Sequence, residues 1–290
     1  MKYAVLLVHG LFLAISYLYG NAYSNDLSSK YKQVTDTAAF PKLRESIRQL
    51  NEVIAKDPKN AKLYYQRAQM YLAVLEIDSA IKDLNRAIQY NPCAFYYNER
   101  GFIYAYGARR YRDEYGNLYI YPIEEYGKAI EDFTKALEID PNNDTSYYRR
   151  GQIYHALNQW DRALRDYKMA AKLGKHWFQY YACATILFHM DSLKQAYEYI
   201  QLAEKSINKT KEDMSLDEFK LELSKIYAIS AVTLYSMGNK NQALSEYRKA
   251  MELNPNWWKG NINVLKAKFS EDILSVVRKL CKELNIKITE

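Results

Sequence analysis

The side chains best suited to chemistry stand apart from one another. Beyond His9, the histidines are His155, His176 and His189, with no His-Glu-x-x-His run and no carboxylate pair at metal-ligand spacing. Each is read as a surface or groove residue. Cys93, Cys183 and Cys281 cannot all pair with one another, and none belongs to a Cys-x-x-Cys unit, so they read as partly buried small hydrophobes. The 10 glycines are scattered, which leaves no loop to cradle a phosphate. The expectation is a chain that is not an enzyme and holds no cofactor and no metal.

The bulk composition agrees with a packed, binding-type protein. With 290 residues and 49% hydrophobic side chains the chain can bury a large core without disulfides. Its formal charge of +7 comes from 41 basic against 34 acidic residues with both signs interspersed. The densest basic run, Arg109, Arg110 and Arg112, is followed at once by Asp113 and Glu114. That is a solvated surface and not a stripe for nucleic acid, and no nucleic-acid partner is expected.

The informative residues are aromatic and small, and they recur. Tyr64, Ala68, Tyr71, Ala80, Leu84, Ala87 and Pro92 are followed by Tyr97, Gly101, Tyr104, Ala129, Phe133, Ala136 and Pro141. Tyr147, Gly151, Tyr154, Ala163, Tyr167 and Ala170 come next, then Tyr180, Ala184, Leu187, Ala196, Ile200 and Ala203. Tyr227, Ala231, Leu234, Ala243, Tyr247, Ala250 and Pro255 close the series. Two helices approach closely only where side chains are small, and every crossing position in the five units is Ala or Gly. The bulky residues fill the space between helices, and the proline stops the second helix of a unit.

In period and residue types the series resembles the tetratricopeptide repeat family, over residues 61 to 257. The resemblance implies an all-α fold: a right-handed superhelical array of about five helix-turn-helix repeats with capping helices. Ala80, Ala129, Ala163, Ala196 and Ala243 are separated by 49, 34, 33 and 47 residues, so two units carry additions. The first lies at about residues 107 to 122, from Arg109 to Tyr121, where Gly116-Asn117 and the alternation Tyr119, Ile120, Tyr121 predict a small β-hairpin. The second precedes the fifth unit. Ser215 and Glu218 there form a capping box that starts a helix about two turns early, after a loop from Asn208 to Met214.

The ends differ from the repeats. A positively charged Lys2, an apolar run from Tyr3 to about Leu18 and the small-residue pattern Gly20-Asn21-Ala22 predict a signal peptide over residues 1 to 22. An uncleaved N-terminal membrane anchor is the alternative. Cleavage gives a secreted or periplasmic protein with no membrane span. Residues 23 to 60 then hold a linker and a capping helix at 42 to 56. Residues 258 to 290 form C-terminal capping helices, the last with Ile273, Val276, Val277, Leu280 and Leu284 on one face behind Ser270. That helix seals the array or folds back into the groove.

In this family the ligand lies along a concave surface lined by first helices. The resemblance places Gln69, Asn98, Phe102, Tyr148, Arg149, Gln152, Phe178, Tyr181 and Phe188 there, with Tyr65, Gln66, Glu99, His155, Thr185 and His189 beside them. Amides can pair with a peptide backbone, and rigid aromatics serve as anchors. Family members that grip acidic chaperone tails use basic and amide residues that fall here on Tyr65, Gln69, Glu99, Thr145 and Arg149; only Arg149 fits, and Glu99 opposes a carboxylate. The function expected is an exported or envelope scaffold for a protein or peptide partner. The alternative is an accessory subunit of a carbohydrate-active or envelope-assembly complex that binds glycan or nucleic acid.

Overall fold

The computed structural model describes residues 39–74, 76–112, 118–122, 125–255 and 271–286, so the predicted signal peptide and Ser270 lie outside the described residues. The chain falls into two compact units, Met1–Arg150 and Gly151–Glu290.

In the first unit, α1 (Ala39–Lys56) precedes two helical hairpins, α2 (Ala61–Ala73) with α3 (Ile77–Tyr90) and α4 (Ala94–Tyr106) with α5 (Tyr126–Ile139). Helix α6 (Asp144–Ala156) begins here, and the division falls inside it. The Asn60 side chain caps α2 by accepting from the Lys62 amide. Along α3 the apolar residues Ile77, Ala80, Ile81, Leu84 and Ala87 repeat every three or four positions and are all buried. Helix α1 starts earlier than expected. Pro41 falls in its first turn, where its missing N–H is tolerated, and Ile47 packs on Met70, Ala73 and Val74.

The insertion between α4 and α5 is the expected hairpin. Strands β1 (Ala108–Arg112) and β2 (Leu118–Pro122) pair antiparallel, from Ala108 opposite Pro122 to Arg112 opposite Leu118. The predicted turn at Gly116-Asn117 lies outside the described residues.

The second unit continues with α7 (Trp160–Leu173), the hairpin of α8 (Trp177–His189) and α9 (Leu193–Lys209), a 3-10 turn at Lys211–Asp213, the hairpin of α10 (Leu216–Ser236) and α11 (Lys240–Leu253), and α12 (Glu271–Glu283). Ser215 caps α10 by accepting from the Glu218 amide at 3.2 Å, so the helix does start early. The loop before it is shorter than expected. Asn208 and Lys209 extend α9, because Ile207 prolongs the buried stripe of Ala196, Ile200 and Ala203 by one more turn.

All thirteen alanines at the crossing positions are at most 1% exposed, and Gly101 and Gly151 are buried. An added Cβ on Gly101 would lie 3.0 Å from Asp132 Cβ and 3.1 Å from Phe133 Cε1. The fold is therefore an all-α repeat array set by small residues at helix crossings. No described helix is long and apolar enough to cross a membrane.

Candidate functional site

The first helices of the first unit bring a connected set of polar and aromatic groups together. Gln69 Nε2 donates to Tyr65 Oη at 2.8 Å, and Tyr65 Oη donates to Glu99 Oε2 at 3.4 Å. Arg149 Nη1, from α6, lies 3.3 Å from Glu99 Oε1 and 3.4 Å from the Asn98 carbonyl oxygen. Its guanidinium sits 4.3 Å from the centroid of Phe102, close enough for a cation–π contact. Burial, reinforced by the neighbouring Glu99 carboxylate, pushes the Tyr65 hydroxyl pKa up, so it remains a donor.

Aromatic rings extend this set. Phe95 meets Tyr65 edge-on with centroids 4.9 Å apart and is 48% exposed, while Tyr96 lies 5.7 Å from Tyr65. Phe95 and Tyr96 were not among the residues expected from sequence. Their signal is the aromatic run Phe95-Tyr96-Tyr97 opening α4.

Of the expected groove residues, Gln69, Phe102 and Arg149 join this network, and Tyr148 is half-buried on the same helix as Arg149. Asn98 is 6% exposed. Its side-chain oxygen accepts from Ser146 Oγ at 3.2 Å, so it fastens α6 to α4 rather than facing a ligand. In the second unit Gln152, Phe178 and Tyr181 are half-buried, and Phe178 stacks on His176 with centroids 5.3 Å apart. Phe188 is 9% exposed and belongs to the apolar core. It faces inward because α8 is apolar on more than one side.

The second unit also holds a histidine cluster. Trp160 and His189 have centroids 4.6 Å apart, and His155 lies 5.9 Å from Trp160 and 6.2 Å from His189. Burial, with a further contribution from His189, pulls the His155 pKa down to about 4, so it is neutral at physiological pH. His189 Nδ1 stands 2.8 Å from Asp272 Oδ2 of α12. Among the described residues no group of three or more metal-ligating side chains comes together. Cys93, Cys183 and Cys281 are unpaired with one another, and burial pushes the Cys183 thiol up to about 12, which keeps it protonated and unreactive.

A second pattern repeats in the sequence. Tyr-x-x-Arg followed by Ala or Gly occurs at 64–68, 97–101 and 147–151. Arg67 donates from Nε and Nη2 to Asp83 at 2.7 and 2.6 Å, and from Nη1 to Asn51 at 2.7 Å. Arg100 repeats the arrangement with Asp132 at 2.8 and 2.6 Å and Asn85 at 2.5 Å. Arg150 Nη1 reaches Thr134 at 3.0 Å. Each arginine ties its own unit to the preceding second helix while lying over a tyrosine, Tyr64, Tyr97 or Tyr147. An open cleft of about 450 Å³ beside the first of them is lined by Tyr64, Arg67, Tyr71, Lys82, Asp83 and Arg86, and contains none of the expected groove residues.

Comparison with known proteins follows the same segments. A family model described as Tetratricopeptide repeat matches residues 61–92 and 224–256, and one described as TPR repeat matches residues 121–158. Human serine/threonine-protein phosphatase 5 is 32% identical over 119 residues, which is 41% of this chain and 21% of that protein. Human tetratricopeptide repeat protein 13 is 27% identical over 124 residues, 43% of this chain and 13% of that protein. The chain thus spans about a fifth or less of the length of these curated relatives. Among solved structures, PilF of Pseudomonas aeruginosa superimposes with a TM-score of 0.57 at 12% identity, covering 82% of this chain and 90% of that one, a likeness of fold alone.

Proposed function

We propose that this chain, which belongs to the tetratricopeptide repeat family, works as an exported scaffold that holds an extended peptide segment of a protein partner on the first-helix surface of its first unit. One observation carries the reading: Gln69, Tyr65, Glu99, Arg149 and Phe102, from three successive first helices, form one partly exposed network bordered by the exposed ring of Phe95. Such a surface offers amide and charged groups to a peptide backbone and rigid rings to its side chains. Arg149, the one basic residue that suits an acidic chaperone tail, is paired with Glu99, which counts against a partner of that kind. No catalytic role is assigned to the chain, and the export reading rests on the apolar run and Gly20-Asn21-Ala22.

Selection of peptides from a random display library against the full chain tests the binding reading. Enriched peptides should lose at least tenfold in affinity on Phe102→Ala or Tyr65→Ala. Binding by both variants as tight as by the unmodified chain would remove the surface from consideration. Intact-mass analysis of the secreted product should find Tyr23 as the first residue, whereas full-length protein in the membrane fraction would favour an anchor.

A further inference from the structure

The cleft beside the first arginine of the ladder is lined by residues of α2 and α3, within the first unit. Arg67 is held there on several sides. Its guanidinium lies 5.6 Å from the ring centroid of Tyr64 and 5.9 Å from that of Tyr71, and it is tied to Asp83 and Asn51. Those bonds use three of the five N–H groups of an arginine, so two have no partner among the described residues.

The charge around the cleft is unbalanced. Asp83, the carboxylate in its lining, is taken by Arg67, which leaves Lys82 and Arg86 as an excess of two positive charges. Both are exposed and stand one turn apart on α3, where like charges repel and weaken a helix. Arg86 Nη1 donates to Gln89 at 2.9 Å, and neither cation meets a carboxylate among the described residues. The second repeat shows that the ladder does not need this rim. Arg100 repeats the bonds of Arg67, but the places of Lys82, Arg86 and Gln89 hold Glu131, Lys135 and Glu138, and Lys135 lies 2.6 Å from Glu138.

We propose that this cleft binds a phosphate monoester whose ester group is aromatic. An excess of two positive charges matches a phosphate monoester, which carries about −1.5 to −2 at pH 7, better than it matches a single carboxylate. Arg67 and Arg86 offer N–H donors in a planar fork, and Lys82 adds a compact charge. Tyr64 and Tyr71 supply ring surface for the ester group. Burial raises the pKa of both phenols, so neither adds negative charge to the site. The cleft of about 450 Å³ lies within the range of small-ligand pockets, about 300–1,000 Å³, and has room for a ring beside the phosphate. It shares no residue with the network of Tyr65, Glu99 and Arg149 and does not rest on the peptide-binding reading.

The test is calorimetric titration of the full chain with phenyl phosphate, inorganic phosphate and benzoate near neutral pH. Phenyl phosphate should bind at one site, roughly tenfold or more tightly than inorganic phosphate, which lacks the ring, or benzoate, which carries one charge. Lys82→Glu installs the residue of the second repeat and places opposite charges one turn apart, so the fold should hold while affinity for phenyl phosphate falls roughly tenfold or more. Arg86→Gln should act in the same direction. Lys135→Gln, at the corresponding place of the second repeat, should leave binding unchanged. Absence of saturable phenyl phosphate binding, equal affinity for either of the other two anions, or full affinity in both Lys82→Glu and Arg86→Gln would overturn the proposal.

Discussion

Gly151 lies so close to Tyr167 that a Cβ at this position would sit 2.8 Å from the tyrosine Cδ1 and 2.9 Å from Cε1. No neighbouring atom can yield easily, because Tyr167 is itself 2% exposed in the core. The close approach of the two helices in the third repeat depends on this missing side chain.

Gly151→Leu should therefore destabilise the chain by roughly 1–3 kcal/mol or more, as overpacking of a crossing does. Gly127, near the start of α5, has nothing within 4 Å of an added Cβ. Gly127→Ala should be neutral or stabilising by up to about 1 kcal/mol, through helix propensity. Urea unfolding of the two variants separates these effects, and equal shifts in midpoint would place the helix crossing elsewhere.

The repeat register was legible because packing constrains it at every unit: small residues at crossings and rings between them leave a period in the sequence. The hairpin and the early start of α10 were legible too, from Gly116-Asn117 with its flanking alternation and from Ser215 with Glu218. Burial of the groove candidates was harder to read. Phe188 and Phe102 are the same residue type on first helices, but one is core and the other lies under Arg149, a difference decided by neighbours distant in sequence. Asn98 looked like a peptide-binding amide and instead holds Ser146, a partner 48 residues away. The arginine ladder was present as a repeated motif, yet its meaning depends on an aspartate of another helix.

That ladder predicts an asymmetry between single and double substitutions. Burial pushes the Asp132 carboxyl pKa up, and Arg100 opposes the shift by keeping it ionised. Arg100→Leu leaves the buried carboxylate without its counter-ion and should cost roughly 3 kcal/mol or more. Pairing it with Asp132→Leu should recover much of that loss, since two apolar groups of similar volume replace the pair. Chemical denaturation of the single and double variants checks this, and additive losses would show that the pair itself, rather than its imbalance, sets the stability.

Stability on the acid side should depend on His155. Its folded pKa of about 4 lies below the ordinary value of 6.5, so between these values the unfolded chain binds a proton that the folded chain does not. Its contribution is fully present above about pH 6.5, and is lost as pH falls through the window towards 4. His155→Gln should flatten the fall in melting temperature between pH 6.5 and 4 relative to the unmodified chain. Identical pH profiles for the two proteins would mean that His155 is solvated and titrates normally.

The last prediction separates binding from folding among the aromatic residues of the first helices. Phe102 is half-buried beneath Arg149, and Tyr148 and Tyr181 are likewise half-buried, so truncation of each removes a partly accessible ring and leaves the helix crossings intact. Phe188 is buried, and Phe188→Ala should cost roughly 3–5 kcal/mol of stability, as removal of a core phenylalanine does. Phe102→Ala and Tyr148→Ala should instead leave the melting temperature within a few degrees of the unmodified chain. Each should weaken a display-selected peptide by more than about 1 kcal/mol, the threshold for an interface anchor. Calorimetric titration alongside thermal unfolding gives both readouts on one set of proteins. Loss of peptide binding in Phe188→Ala alone, with full affinity retained in Phe102→Ala and Tyr148→Ala, would rule out the first-helix surface as the binding site.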